Sequence, residues 1–153
     1  MKRIQRIIVS VLVRQDNGLL LLKRARPFSE FRTNGERSLA GMALWELPGG
    51  APDFGEMLIE TAKRETLEEA SVQLLSEHLQ LIDCFSYVLV DKDIESHRIH
   101  VVYEGLVPRD CPIRTSDEHV AYMWLCDKNQ LRDLSMLDET RSFILRHFDS
   151  RLI

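Results

Sequence analysis

Residues 6–15, RIIVSVLVRQ, are apolar and β-branched almost throughout, and 19–24, LLLLKR, repeat the pattern. Such runs predict two strands, and their lack of polar alternation predicts cover on both faces. DNG at 16–18 is a hairpin signal between them. The pattern then breaks over 25–44, where Pro27, Gly35 and Gly41 interrupt a mix of arginines and phenylalanines. A loop of that length inside a compact domain is usually functional or mobile. LWELP at 44–48 predicts a short strand, Gly49-Gly50 a turn, and 56–70 a helix that turns Met57, Leu58, Ala62 and Leu67 to the sheet. Strands follow at 79–90 and 97–107, joined by the polar DKDIES, and at 119–126. Asp127 is placed to cap a short helix, and 137–148 carries apolar residues at helical spacing, acidic first and basic last. Strands outnumber helices. The expectation is one α/β domain over 1–153, a mixed β-sheet with helices on both faces.

Composition narrows the function. An apolar fraction of 44% and a charged fraction of 29% fit an ordinary globular protein. A net charge of −4 with no basic block argues against nucleic acid as partner. It leaves room for a small phosphorylated ligand if a cation reconciles the charges. Three widely spaced cysteines without CxxC predict neither disulfides nor a zinc site, and cytoplasmic conditions are the default. No run approaches the ~18–20 apolar residues of a membrane span. A homodimer is left open.

The 56–70 helix raises the question of charge. Glu65, Glu68 and Glu69 are spaced three and four apart, so they share one helix face. A like-charge i,i+4 pair costs about 0.2–0.5 kcal/mol, and no lysine lies on that face. Clustered carboxylates are what a hard divalent cation takes, Mg²⁺ foremost.

The segment resembles the signature of the Nudix hydrolase family, carried by Gly50, Glu56, Arg64, Glu65, Glu68 and Glu69 at the required spacing. The match spans 23 residues, 50–72, and the surrounding strand order is similar to the family's α/β/α sandwich. Thr66 stands where an aliphatic residue is usual. Ser71 stands where a glycine ends the helix; a left-handed conformation there costs serine about 1 kcal/mol.

The resemblance implies Mg²⁺- or Mn²⁺-dependent hydrolysis of a nucleoside diphosphate linked to another group. It implies metal-site carboxylates at Glu65, Glu68 and Glu69, the Gly49 carbonyl as a further ligand, and Arg64 orienting the glutamates. Glu56 is implied to hold the loop rather than to react. Glu118, six residues before Trp124, looks like the outlying glutamate of MutT-type members; it and Glu65 are the two candidate bases. Asp117 and His119 are lesser stand-ins. For substrate we expect Lys23, Arg24 and Arg26, with Arg32 and Arg37, to reach phosphate, and Trp45, Phe28 or Phe31 to stack on a base. His97, His100 and Tyr103 read as surface residues of a strand. The first substrate class is a nucleoside triphosphate; a nucleotide sugar is the alternative. A non-catalytic nucleotide sensor would usually lose motif glutamates, and all are present. A prenyl diphosphate isomerase would want a catalytic cysteine.

Overall fold

The computed structural model describes residues 1–16, 18–27, 32–33, 37–38 and 41–150, without the side chains of 32, 33, 37 and 38. Among these, nine strands form one mixed sheet. β1 (Lys2–Gln15) pairs in parallel with β8 (Ile94–Leu106) from Lys2↔Ile94 to Arg14↔Leu106. β7 (Leu79–Asp91) runs antiparallel to β8. β1 turns into β2 (Gly18–Arg24) at the predicted hairpin, where Asp16 takes φ 40°. β9 (His119–Leu125) lies antiparallel along β2.

The short strands depart most from expectation. The 44–48 strand shrinks to β5 (Trp45–Glu46), which pairs with β2. Gly49–Gly50 is not a free turn but β6, laid on Val9 and Ser10 of β1. β3 (Arg32–Thr33) and β4 (Arg37–Ser38) pair with each other, and β3 with β7. The side chains of Arg32 and Arg37, and all of Phe28 and Phe31, lie outside the described residues. The DKDIES connection tightens to two residues, with Lys92 at φ 56°, because both flanking strands extend into it.

Continuous apolar runs indeed have cover on two faces. Val9, Val11, Val13, Leu20 and Leu22 pack with Ala62 and Ala70 of α1 (Leu58–Ala70). Leu12, Leu19 and Leu21 pack on the other face with Phe143 and Ile144 of α2 (Asp138–His147). Each fully buried leucine contributes about 1.5–3 kcal/mol of transfer free energy. The layers are α1, sheet and α2, the expected sandwich. No helix among the described residues is long and apolar enough to cross a membrane.

α1 begins two residues later than predicted, so Glu56 belongs to the preceding loop. Its buried face also differs. Met57 and Leu67 are exposed, whereas Thr61, Ala62, Thr66, Glu69 and Ala70 are buried. Small residues let the helix approach β1 and β6 closely, and the Thr66 hydroxyl is absorbed by donating to Ala62 O at 2.8 Å. Ser71 ends α1 in the left-handed conformation (φ 60°), with Oγ donating to Arg114 O at 3.0 Å. Asp127 caps the short helix Lys128–Asp133 as predicted, in a capping box with Gln130.

Candidate active site

The loop before α1 is built around one guanidinium. Arg64 donates through Nε and Nη2 to Glu56 at 2.8 and 2.9 Å, and through Nη2 to Ala51 O at 3.1 Å. Its remaining nitrogen, Nη1, reaches Glu65 at 2.9 Å and Glu68 at 3.3 Å. Glu56 also accepts from Thr61 Oγ1 and Asp53 N. These bonds, Arg64's first, hold the Glu56 carboxyl at a pKa of about 2. Arg64 and Glu56 thus hold each other and the loop, and neither lines the cavity described below.

The three helix carboxylates meet different surroundings. Glu68 is exposed. Glu65 is half-buried beneath Gly50, and burial raises its pKa. A Cβ on Gly50 would stand 2.5 Å from the Glu65 carboxylate. Gly50→Ala is thus expected to push Glu65 aside and lower turnover by about 10–100-fold, with the fold kept, as steady-state kinetics beside circular dichroism would read. Glu69 is buried and accepts from Gly49 N at 2.7 Å. Gly49 has no room for a side chain, since a Cβ would lie 2.1 Å from Val9 O.

Burial pushes the Glu69 pKa up to about 9, helped by Glu46, Glu65 and Glu118. The folded state thus binds this proton more tightly than the unfolded chain, whose value is near 4.5. Stability from this group is complete below pH 4.5 and falls as pH rises toward 9. Were a divalent cation to take the place of this proton, added Mg²⁺ or Mn²⁺ would be expected to raise the melting temperature more at pH 8.5 than at pH 6. Equal shifts at the two pH values would contradict this reading of Glu69.

β9 brings the outlying residues. Ligand atoms of Glu69, Glu118 and His119 all lie within 4.8 Å of one another. Glu118 is held where Ser116 Oγ accepts from its N–H at 3.3 Å and its own carbonyl accepts from Ala25 N at 2.8 Å. Carboxylate crowding, a Glu69 that resists ionisation and a buried imidazole together make a donor set that fits a divalent cation.

A cavity of about 510 Å³ opens from this cluster. Glu69, Glu118, His119, Arg24 and Arg26 line one end. Its floor is the α2-side face of the sheet: Arg6, Ile8 and Ser10 of β1, Arg98 and His100 of β8, and Tyr87 of β7. Leu137 and Thr140 close it from α2. Trp45 lines it while also packing against the α2-side core. Lys23 does not line it; its ammonium lies 5.8 Å from the centre of the Trp45 ring.

His100 is not a plain surface residue. Its Nδ1 pairs with Ser10 Oγ at 2.9 Å and its Nε2 with Tyr87 OH at 3.0 Å, and it stacks on Phe85 at 4.6 Å. Burial, then Arg98, lowers its pKa to about 4, so the ring is neutral at physiological pH. Strand alternation could flag His100 but not which face α2 would cover. His119 is likewise placed by the fold: it is buried beside Glu69, and its partner Glu46 lies 73 residues away in sequence.

Residues 4–147 match the family model of the NUDIX domain. The chain is a Nudix hydrolase. A dihydroneopterin triphosphate diphosphatase of Escherichia coli (strain K12) is 28% identical over 129 residues, 77% of this chain and 75% of that protein. An asymmetrical bis(5'-nucleosyl)-tetraphosphatase of Sus scrofa is 32% identical over 111 residues, 68% of this chain and 74% of that protein. The solved MutT protein of Methanosarcina mazei Go1 superposes with a TM-score of 0.68 at 24% identity, over 97% of this chain and 96% of the other. As a Nudix hydrolase the chain acts on phosphorus anhydride bonds.

Proposed function

We propose that this Nudix hydrolase cleaves the diphosphate linkage of a heterocycle-bearing triphosphate, nucleoside triphosphates first. The observation that carries the reading is one cavity with carboxylates at one end and a polar aromatic floor along its length. Two similar enzymes, the diphosphatase and the tetraphosphatase, bear the names of polyphosphate substrates with heterocycles. The match over 4–147 supports reading residues 1–153 as one catalytic domain. Three free cysteines, two of them exposed, suit a reducing cytoplasm.

Glu65, Glu68, Glu69, Glu118 and the Gly49 carbonyl would hold Mg²⁺ or Mn²⁺. When bound, the cation supplies charge neutralisation at the phosphoryl oxygens and a more acidic water. Arg24 and Arg26, beside Glu118, take the phosphates by charge-assisted hydrogen bonds. Glu65, half-buried and with a raised pKa, takes the proton of the attacking water; Glu118 is the other candidate base. Arg64 keeps Glu65 and Glu68 aimed. Arg6 lies four residues along β1 from Ser10, about 13 Å away. The heterocycle would lie along the floor between them, facing the neutral His100 and Tyr87.

The test is a panel of nucleoside triphosphates, dihydroneopterin triphosphate, a dinucleoside tetraphosphate and nucleotide sugars, assayed with Mg²⁺ and with Mn²⁺. Pyrophosphate release from triphosphates is expected. Turnover confined to nucleotide sugars, or none in either metal, overturns the proposal.

A further inference from the structure

The two ring nitrogens of His119 face different groups. Nε2 lies 3.1 Å from Glu46 Oε1. A carboxylate only accepts, so the ring hydrogen belongs on Nε2. Arg24 Nη1 approaches the same oxygen at 3.4 Å, which holds Glu46 in place. The lone pair is thereby left on Nδ1. That atom is buried, in a side chain only 2% exposed, and has no hydrogen-bond partner. It faces Glu69 Oε2 at 3.8 Å, too far for a hydrogen bond. The other Glu69 oxygen is taken by Gly49 N. The buried Nδ1 lone pair therefore faces Glu69 Oε2 with no donor to satisfy it, a gap of the kind a cation fills.

We propose that Nδ1 of His119 is a nitrogen donor to the divalent cation shared with Glu69 and Glu118, and that Glu46 is the positioning residue that fixes its tautomer. The proposal rests on the metal-dependent reading above. Its geometry is that of a carboxylate–histidine–metal arrangement, in which the outer carboxylate orients the ring. The mutual spacing within 4.8 Å requires only a small closing movement around an ion. The chemical consequence is metal choice. Mg²⁺ binds oxygen almost to the exclusion of nitrogen, whereas first-row ions accept imidazole with an affinity that starts low at Mn²⁺ and rises along the row. This centre discriminates against Mg²⁺ more than an all-oxygen site would.

The experiment is Mn²⁺ titration of the full chain, followed by electron spin-echo envelope modulation. Wild-type protein is expected to show coupling from a directly bound ¹⁴N. Labelling histidine with ¹⁵N should change that coupling without altering the fold. In His119→Gln the signal should vanish, and Mn²⁺ affinity should fall about 10–100-fold, with Mg²⁺ affinity changing much less. Glu46→Leu should lower the ratio of Mn²⁺ to Mg²⁺ affinity in the same direction; an equal loss for both ions would mean a merely structural role and would overturn its part. Bound Mn²⁺ without nitrogen coupling overturns the His119 assignment alone. Absence of any Mn²⁺ binding overturns both it and the metal-dependent reading.

Discussion

Glu68→Gln is expected to cut triphosphate turnover by on the order of 10²-fold or more, about 2.7 kcal/mol of transition-state stabilisation. The fold should be unaffected. Glu68 is exposed, and among the described residues it is met by Arg64 at 3.3 Å, which is held more tightly by Glu56. Exposed substitutions of this kind usually change stability by less than about 0.5 kcal/mol. Glutamine keeps the shape and a carbonyl oxygen and removes only the charge. Loss of rate with an unchanged melting curve therefore isolates the charge. A full-rate variant would remove Glu68 from the metal set and leave Glu69 and Glu118 to account for the cation.

The largest effect on stability is expected at Arg14→Met. Arg14 is buried at the end of β1, where its guanidinium pairs with buried Glu104 of β8 and donates to the His147 and Phe148 carbonyls that end α2. Methionine fills the volume but leaves Glu104 an uncompensated buried charge and two helix carbonyls without donors. Breaking such a pair costs about 3–5 kcal/mol. At about 2–4 °C per kcal/mol for a chain of this size, the melting temperature should fall by about 6–20 °C. Adding Glu104→Leu should recover much of the loss, because no charge is then buried unpaired and only the two α2 carbonyls still lack their donor. A shift below about 3 °C for the single variant would mean that α2 is docked mainly by Phe143 and Ile144. Substrate affinity should weaken with stability, since Leu137 and Thr140 close the cavity only while α2 is seated.

The sequence was most informative where function is local. Arg64, Glu65, Glu68 and Glu69 lie within six residues on one helix, so spacing alone places them together. The loop-holding role of Glu56, by contrast, was implied by the family resemblance, and its bonds to Arg64, Thr61 and Asp53 accord with it. What spacing could not convey is which helix face would be buried. Hydrophobicity favoured Met57 and Leu67, but close approach of α1 to β6 favoured small residues, and shape outweighed greasiness. The second gap is non-local. Glu46 and His119 become neighbours because β5 and β9 flank β2. Arg6, Arg98, Tyr87 and His100 share a surface because three long strands align in register. A period of two says that residues alternate but not which face a distant helix will cover. A histidine at the head of an apolar strand, one residue after the outlying glutamate, was the available signal for His119.

The parallel pairing of β1 with β8 also governs when the site comes into being. Arg14 and Glu104 are ninety residues apart in sequence, and the whole of β1 waits for a strand of that remoteness. Closing so wide a loop is entropically costly and makes for slow folding. A ribosome that has released only the first two-thirds of the chain has displayed every motif glutamate yet offered β1 no complete partner. Acquisition of the ion should therefore come late in maturation, after the chain has emerged past Leu106.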